Sequence, residues 1–176
     1  MEHIERVKRE LKYKGSILSM YADTIHVPNG NTAVWDFIEH QGAAAVIPVT
    51  EDGKIILVRQ YRNSLDRYTL EIPAGGLNGA DEPTKIAAAR ELEEETGYHS
   101  DHLELLISIV TAIAFCNEII DVYVAKDLVK TQQHLDEDEY IDVVAYSPEE
   151  IAEMIYSGKI QDSKTVAAIM AYINKK

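Results

Sequence analysis

From Gly76 the chain runs five residues to Glu82, seven more, and then Arg90-Glu91-Leu92-Glu93-Glu94-Glu95-Thr96-Gly97-Tyr98, which crowds four carboxylates into little more than one helical turn. A helix advances about 100° and 1.5 Å per residue, so Glu91 and Glu95 lie about 40° apart around the axis and about 6 Å apart along it. They share a face. Glu94 stands beside them at i+3 from Glu91, whereas Glu93 points about 200° away. Glu94 has Arg90 four residues back, but Glu91 and Glu95 have no basic partner at helical spacing, and like charges at i,i+4 cost about 0.2–0.5 kcal/mol. A divalent cation would remove that conflict; a solvated acidic face is the alternative. Pro83 suits a first helical turn, Gly97 suits a left-handed cap, and Ile86, Ala89 and Leu92 predict an apolar stripe away from the Glu91/Glu95 line.

The rest of the chain reads as strands and two further helices. Residues 10–27 and 33–39 predict strands joined at Pro28-Asn29-Gly30-Asn31. Residues 43–49 and 54–61 flank Glu51-Asp52-Gly53 and predict a second strand pair, with continuous apolar runs that imply burial on both faces. A short strand over 68–72 ends at Pro73-Ala74-Gly75-Gly76. Strands over 103–112, 119–125 and 140–146 follow, the last preceded by Asp136-Glu137-Asp138-Glu139. Ser147-Pro148-Glu149-Glu150 carries an N-cap, a proline at N1 and first-turn acids, so a helix runs from there to Ser157-Gly158; a final helix covers 163–174. No repeat or long linker divides the pattern, which predicts one α+β domain.

A chain of 176 residues, 46% hydrophobic and 27% charged, is long enough to bury a core without staples, and no apolar run approaches the ~20 residues of a membrane helix. A net charge of −13 opposes binding to nucleic acid, and the seventeen Lys and Arg residues form no stripe. A small phosphorylated substrate stays compatible, because a bound cation reverses the local field. The charged amino-terminal stretch lacks a signal-peptide pattern and Cys116 is the only cysteine, so a cytoplasmic protein without intramolecular disulfides is expected. His99 and His102 show no metal-ligand spacing.

The 76–98 pattern resembles the Nudix hydrolase signature, Gly-x5-Glu-x7-Arg-Glu-U-x-Glu-Glu-x-Gly-U with U a bulky aliphatic residue; Tyr98 is the one departure. Beyond it, Val58-Arg59-Gln60-Tyr61-Arg62, Leu70-Glu71-Ile72-Pro73-Ala74-Gly75, Leu135-Asp136-Glu137-Asp138-Glu139 and Gly158-Lys159-Ile160-Gln161-Asp162-Ser163-Lys164-Thr165 resemble the branch that hydrolyses ADP-ribose and nucleoside diphosphate sugars. The resemblance implies an α/β/α sandwich with a mixed sheet, in which residues 1–40 form a β-extension that builds a homodimer and 41–176 form the hydrolase domain. Ala112-Ile113-Ala114 stands where ADP-ribose enzymes commonly carry Ser-Pro-Gly, which leaves a different nucleotide sugar as the second substrate reading. A catalytically silent nucleotide sensor on the same fold is the reading outside enzymes.

The same resemblance implies Mg2+ or Mn2+ held by Glu91 and Glu95, with Glu94 either a further ligand or a partner of Arg90. Arg90 belongs to the catalytic set. Glu82 is a ligand or supports Arg90, and Glu118 serves the metal or the water. The turn sits one residue further from Glu82 than the family pattern, so the carbonyl ligand is either that of Ala74 or that of Gly75. Glu137 or Glu139 is the base, unless that loop is merely solvated. Arg62 grips the distal phosphate or sugar, or forms a salt bridge; Trp35 stacks the nucleobase or fills a core.

Overall fold

The computed structural model describes residues 3–79, 81–137 and 139–175 and divides into two compact units. The first comprises Met1–Gly42 and Val110–Glu118. Its strands β1 (Glu5–Lys14), β2 (Ser19–His26) and β3 (Thr32–Glu39) form an antiparallel sheet in that order. The single strand expected over 10–27 is two strands, because Gly15-Ser16 reverses the chain and the Gly15 N–H donates to Leu18 O at 2.9 Å. The predicted turn at 28–31 closes with Gly30 at φ 84°. Across β1 and β2, Arg9 grips buried Asp23 through two bonds of 2.7 and 2.6 Å and lies 3.7 Å over Phe37. The segment 110–118 joins the same unit where the Ile38 N–H donates to Phe115 O.

The second unit holds the remaining elements around β4 (Ala43–Pro48), every residue of which is buried. A four-stranded sheet runs β7 (Ala74–Gly76), β4, β10 (Ile119–Lys126), β9 (His102–Val110), with β10 parallel and β7 antiparallel to β4. A second sheet orders β12 (Ile141–Tyr146), β5 (Ile55–Arg62), β6 (Arg67–Glu71). The pair β8 (Tyr98–His99) and β11 (Val129–Lys130) completes the strands. The strand pair predicted across Glu51-Asp52-Gly53 does not form: the isolated bridge Val49↔Ile55 joins the residue after β4 to the start of β5, and the two strands enter different sheets. Their continuous apolar runs still obey the predicted burial, since alternate side chains of a strand face opposite sides. Ala45 and Ile47 join Leu57, Val122, Ile151 and Ile169 in one cluster; Ala44 and Val46 join Ala88, Leu92 and Tyr123 in another.

The second cluster seats α1 (Thr84–Thr96). Its buried side is Ala87, Ala88, Glu91, Leu92, Glu95 and Thr96, so the expected Ile86/Ala89/Leu92 stripe is wrong for Ile86, which is 58% exposed. Two alanines let the helix approach β4 closely and carry Glu91 and Glu95 inward with Leu92. Leu92→Ala would cost roughly 2–5 kcal/mol. Pro83 is the N-cap and not the first helical residue, and Gly97 ends the helix at φ 66° with its N–H on Glu93 O. The first cluster is covered by α2 (Pro148–Tyr156), with the predicted Ser147/Glu150 capping box, and by α3 (Ser163–Asn174), capped by Asp162. Among the described residues no helix is long and apolar enough to cross a membrane.

Candidate active site

Glu91 and Glu95 are almost wholly buried, at 8% and 3% exposure, where a carboxylate is stable only with compensation. Burial pushes the Glu95 carboxyl up to about 8, and the charges of Glu91 and Glu139 push the same way against a bond from the Ala74 N–H. Burial likewise raises Glu91, opposed by Arg90 and assisted by Glu94 and Glu139. Two acids that hold protons too tightly, side by side, form a site that a hard divalent cation could occupy in place of a proton. Arg90 restrains the cluster: its guanidinium donates to Glu91 at 2.5 Å, Glu94 at 3.0 Å and the Gly76 carbonyl at 3.1 Å, and Glu82 lies 3.4 Å away. The expectation that Glu91 has no basic partner in the helix is corrected, since a guanidinium long enough to fold back reaches the neighbouring side chain. Glu82 also accepts from the Asn78 N–H at 2.5 Å. Among the described residues no three His, Cys, Asp or Glu side chains are arranged to hold an ion by themselves, so ligation would also draw on carbonyl, water or phosphate oxygens.

The backbone beside the acids orients the carbonyls of Ala74 and Gly75 differently. The register is Ala43↔Gly76, Ala44↔Gly75 and Ala45↔Ala74, and the Val46 N–H donates to Pro73 O at 3.0 Å. Bonded and non-bonded pairs alternate along an antiparallel ladder, so Gly75 turns its N–H and C=O to Ala44 while Ala74 and Gly76 turn theirs away from β4. The Ala74 N–H accordingly reaches Glu95 Oε2 at 3.0 Å, and the Gly76 carbonyl reaches Arg90. Gly75 is required by space: a Cβ there would stand 2.1 Å from Glu91 Oε1.

Residues 131–134 dock on the C-terminal end of α1, whose last carbonyls need donors. The Gln133 side chain donates to Glu95 O at 2.6 Å, the His134 N–H to Glu94 O at 3.0 Å and the Thr131 N–H to Gly97 O at 2.8 Å. That clamp delivers the acidic loop, of which Glu139 is half-buried and Glu137 exposed. Glu139 raises both Glu91 and Glu95, and Glu137 is not among the causes for either.

Other expected residues lie in different surroundings. Both Nε and Nη2 of Arg62 donate to Glu71, at 2.8 and 2.7 Å, occupying donors a phosphate would need. Trp35, on β3, is 47% exposed and is not a core residue. Glu118 belongs to the first unit, where Thr111 donates to it at 2.6 Å and His40 stands 3.5 Å away. Sequence reasoning missed Glu71 and Lys164, both buried and paired with each other; a charged residue inside the Leu70-Glu71-Ile72 strand was the available signal.

A family model described as the NUDIX domain matches residues 39–169. The chain belongs to the Nudix family. A Nudix relative, the methanol dehydrogenase activator of Bacillus methanolicus, is 42% identical over 93% of this chain and 89% of its own length. An ADP-ribose pyrophosphatase of Bacillus subtilis is 37% identical over the same shares, and one of Mycobacterium tuberculosis is 32% identical over 97% of this chain and 84% of its own. A crystal structure of an ADP compounds hydrolase shares the fold with a TM-score of 0.87, 21% identity, and coverage of 98% of this chain and 94% of that one. Nudix hydrolases generally need divalent metal ions, and buried carboxylates and backbone carbonyls are oxygen donors of the kind hard cations prefer.

Proposed function

We propose that this Nudix enzyme hydrolyses the diphosphate of a nucleoside diphosphate sugar, with ADP-ribose giving AMP and ribose 5-phosphate, and that Mg2+ or Mn2+ is its cofactor. The observation that carries the reading is the buried Glu91/Glu95 pair beside Ala74, on a chain 37% identical to an ADP-ribose pyrophosphatase. Glu91, Glu95 and the Ala74 carbonyl would hold the ion, with Glu94 as a further ligand; Arg90 and Glu82 brace them. The ion would supply neutralisation of diphosphate oxygens and acidification of water. Glu139, the loop acid whose charge reaches the pair, takes the proton of the attacking water as its oxygen bonds phosphorus and the bridging P–O bond breaks in line. Residues 1–40 act as a dimerisation element, supported by exposed Val7, Leu11 and Tyr13 on β1, and the lone cysteine suits the cytoplasm. Trp35 is the base-stacking residue of that element, its exposed face free for a nucleobase.

The test is product analysis on a panel of nucleoside diphosphates with Mg2+, Mn2+ or EDTA. ADP-ribose turnover that needs metal, and falls at least about 100-fold in Glu139→Gln but little in Glu137→Gln, supports the assignment. No turnover of any diphosphate would sink it. Ile113, 86% exposed within Ala112-Ile113-Ala114, favours a second reading in which another nucleotide sugar is preferred; the same panel decides.

A further inference from the structure

We propose that the first turn of α3 positions the metal-binding corner, with Lys164 and Thr165 as positioning residues. Both are buried, at 9% and 0% exposure, and neither is part of the acidic helix. Lys164 Nζ bonds Glu71 Oε2 and, at 3.0 Å, Asp162 Oδ2. Asp162 in turn accepts from the Thr165 N–H at 3.0 Å and from its hydroxyl at 2.6 Å. The Thr165 hydroxyl then accepts from the Ile72 N–H at 2.9 Å. Helix α3 thus holds two consecutive residues of the strand end, Glu71 by its side chain and Ile72 by its backbone.

From there to the site little freedom remains. Pro73 has a fixed φ, and its carbonyl is bonded to the Val46 N–H, so the next residue, Ala74, meets Glu95 in an orientation set by Ile72 and Pro73. The bonds run from α3 through residues 71–74 to the buried carboxylate, each made within the second unit. A ligand that must be held in one geometry depends on the groups that orient it, and removing such groups commonly weakens metal affinity about 10–100-fold.

The cleft over this cluster, about 330 Å³ and lined by Arg62, Arg67, Glu71, Asp162 and Lys164 among others, invites a rival reading as an anion site. The bonding disfavours it. Lys164 is shared between two carboxylates, Arg62 is bound bidentately to Glu71, and Arg67 is bonded to Gln161. The Lys164 ammonium and the Nε/Nη2 edge of Arg62 are committed to carboxylates, which favours a brace over an anion site.

This inference rests on the metal-dependent reading above, and Mn2+ binding to the purified full chain, followed calorimetrically and by electron paramagnetic resonance, tests the two separately. Wild-type protein that binds no Mn2+ overturns the metal reading itself. If it binds, Thr165→Val, nearly isosteric but without the hydroxyl, should weaken Mn2+ about tenfold or more, while Thr165→Ser stays within about twofold. Lys164→Met should weaken it similarly, and Lys164→Arg should recover part of the loss. Folded Thr165→Val and Lys164→Met proteins with wild-type Mn2+ affinity overturn the positioning role. Should one of the two not fold, the other decides. Loss of folding in both would assign the turn to stability alone and equally overturn the proposal.

Discussion

At position 75 a single methyl group decides whether Glu91 can occupy its place. The 2.1 Å approach is to the end of a flexible side chain, so Gly75→Ala should keep the fold and displace the carboxylate. The expected outcome is a melting temperature changed by no more than a few degrees, with Mn2+ affinity and turnover lowered about 10–100-fold. Glu71 makes the opposite prediction, for stability. Burial pushes its carboxyl up, but Arg62, Lys164 and Thr69 prevail and hold it down at about 2 against an ordinary 4.5. Its charge therefore stabilises the fold above pH ~4.5, and that contribution, on the order of 3 kcal/mol, is lost as pH falls toward about 2, because the unfolded chain takes the proton first. Acid unfolding of wild type and Glu71→Gln should show a steeper loss in the wild type across that window. Glu91 and Glu95 were legible because helical spacing alone brings them together. Glu71 and Lys164 were not, since 93 residues separate them and no local rule pairs them.

The element that most depends on its end is α1. Gly97 has φ 66°, and a Cβ there would lie 2.9 Å from the Gln133 backbone nitrogen, which cannot swing aside as a side chain does. Gly97→Ala should destabilise the protein by about 1–2 kcal/mol and slow turnover by shifting the loop that carries Glu139, measured by chemical denaturation and by kcat. Gln133→Ala tests the clamp with less strain: if Glu139 is the base, Mn2+ affinity should hold while kcat falls several-fold, because the proposed ligands stay and the proposed base moves. The start of α2 was readable because caps are local chemistry, as Ser147 demonstrates, whereas the Asp162 cap of α3 emerged only from the structure. The pairing of β4 with β5 was misread for the converse reason. A turn at Glu51-Asp52-Gly53 reports that the chain reverses, but partner strands are chosen by distant segments, here β10 and β7 for β4, β12 and β6 for β5.

For the whole molecule, the buried acids set stability against function. Without metal, Glu95 holds its proton up to about 8 in the folded chain, whereas the unfolded chain releases it near the ordinary 4.5. Stability must therefore decline as pH rises through that interval, since the folded state binds the extra proton. Substituting Glu95→Gln removes this decline, so the metal-free variant should melt higher than metal-free wild type at pH 7.5. A cation that binds only the folded state stabilises it by about 2.7 kcal/mol at a hundred times its Kd, which for a chain of this size raises Tm by roughly 5–11 °C. Calorimetric scans with saturating Mn2+ and with EDTA should show that rise in wild type and almost none in Glu95→Gln, reversing the order of the two proteins. If both rose equally, the ion would be binding elsewhere on an acidic surface, and the buried pair would have no claim to it.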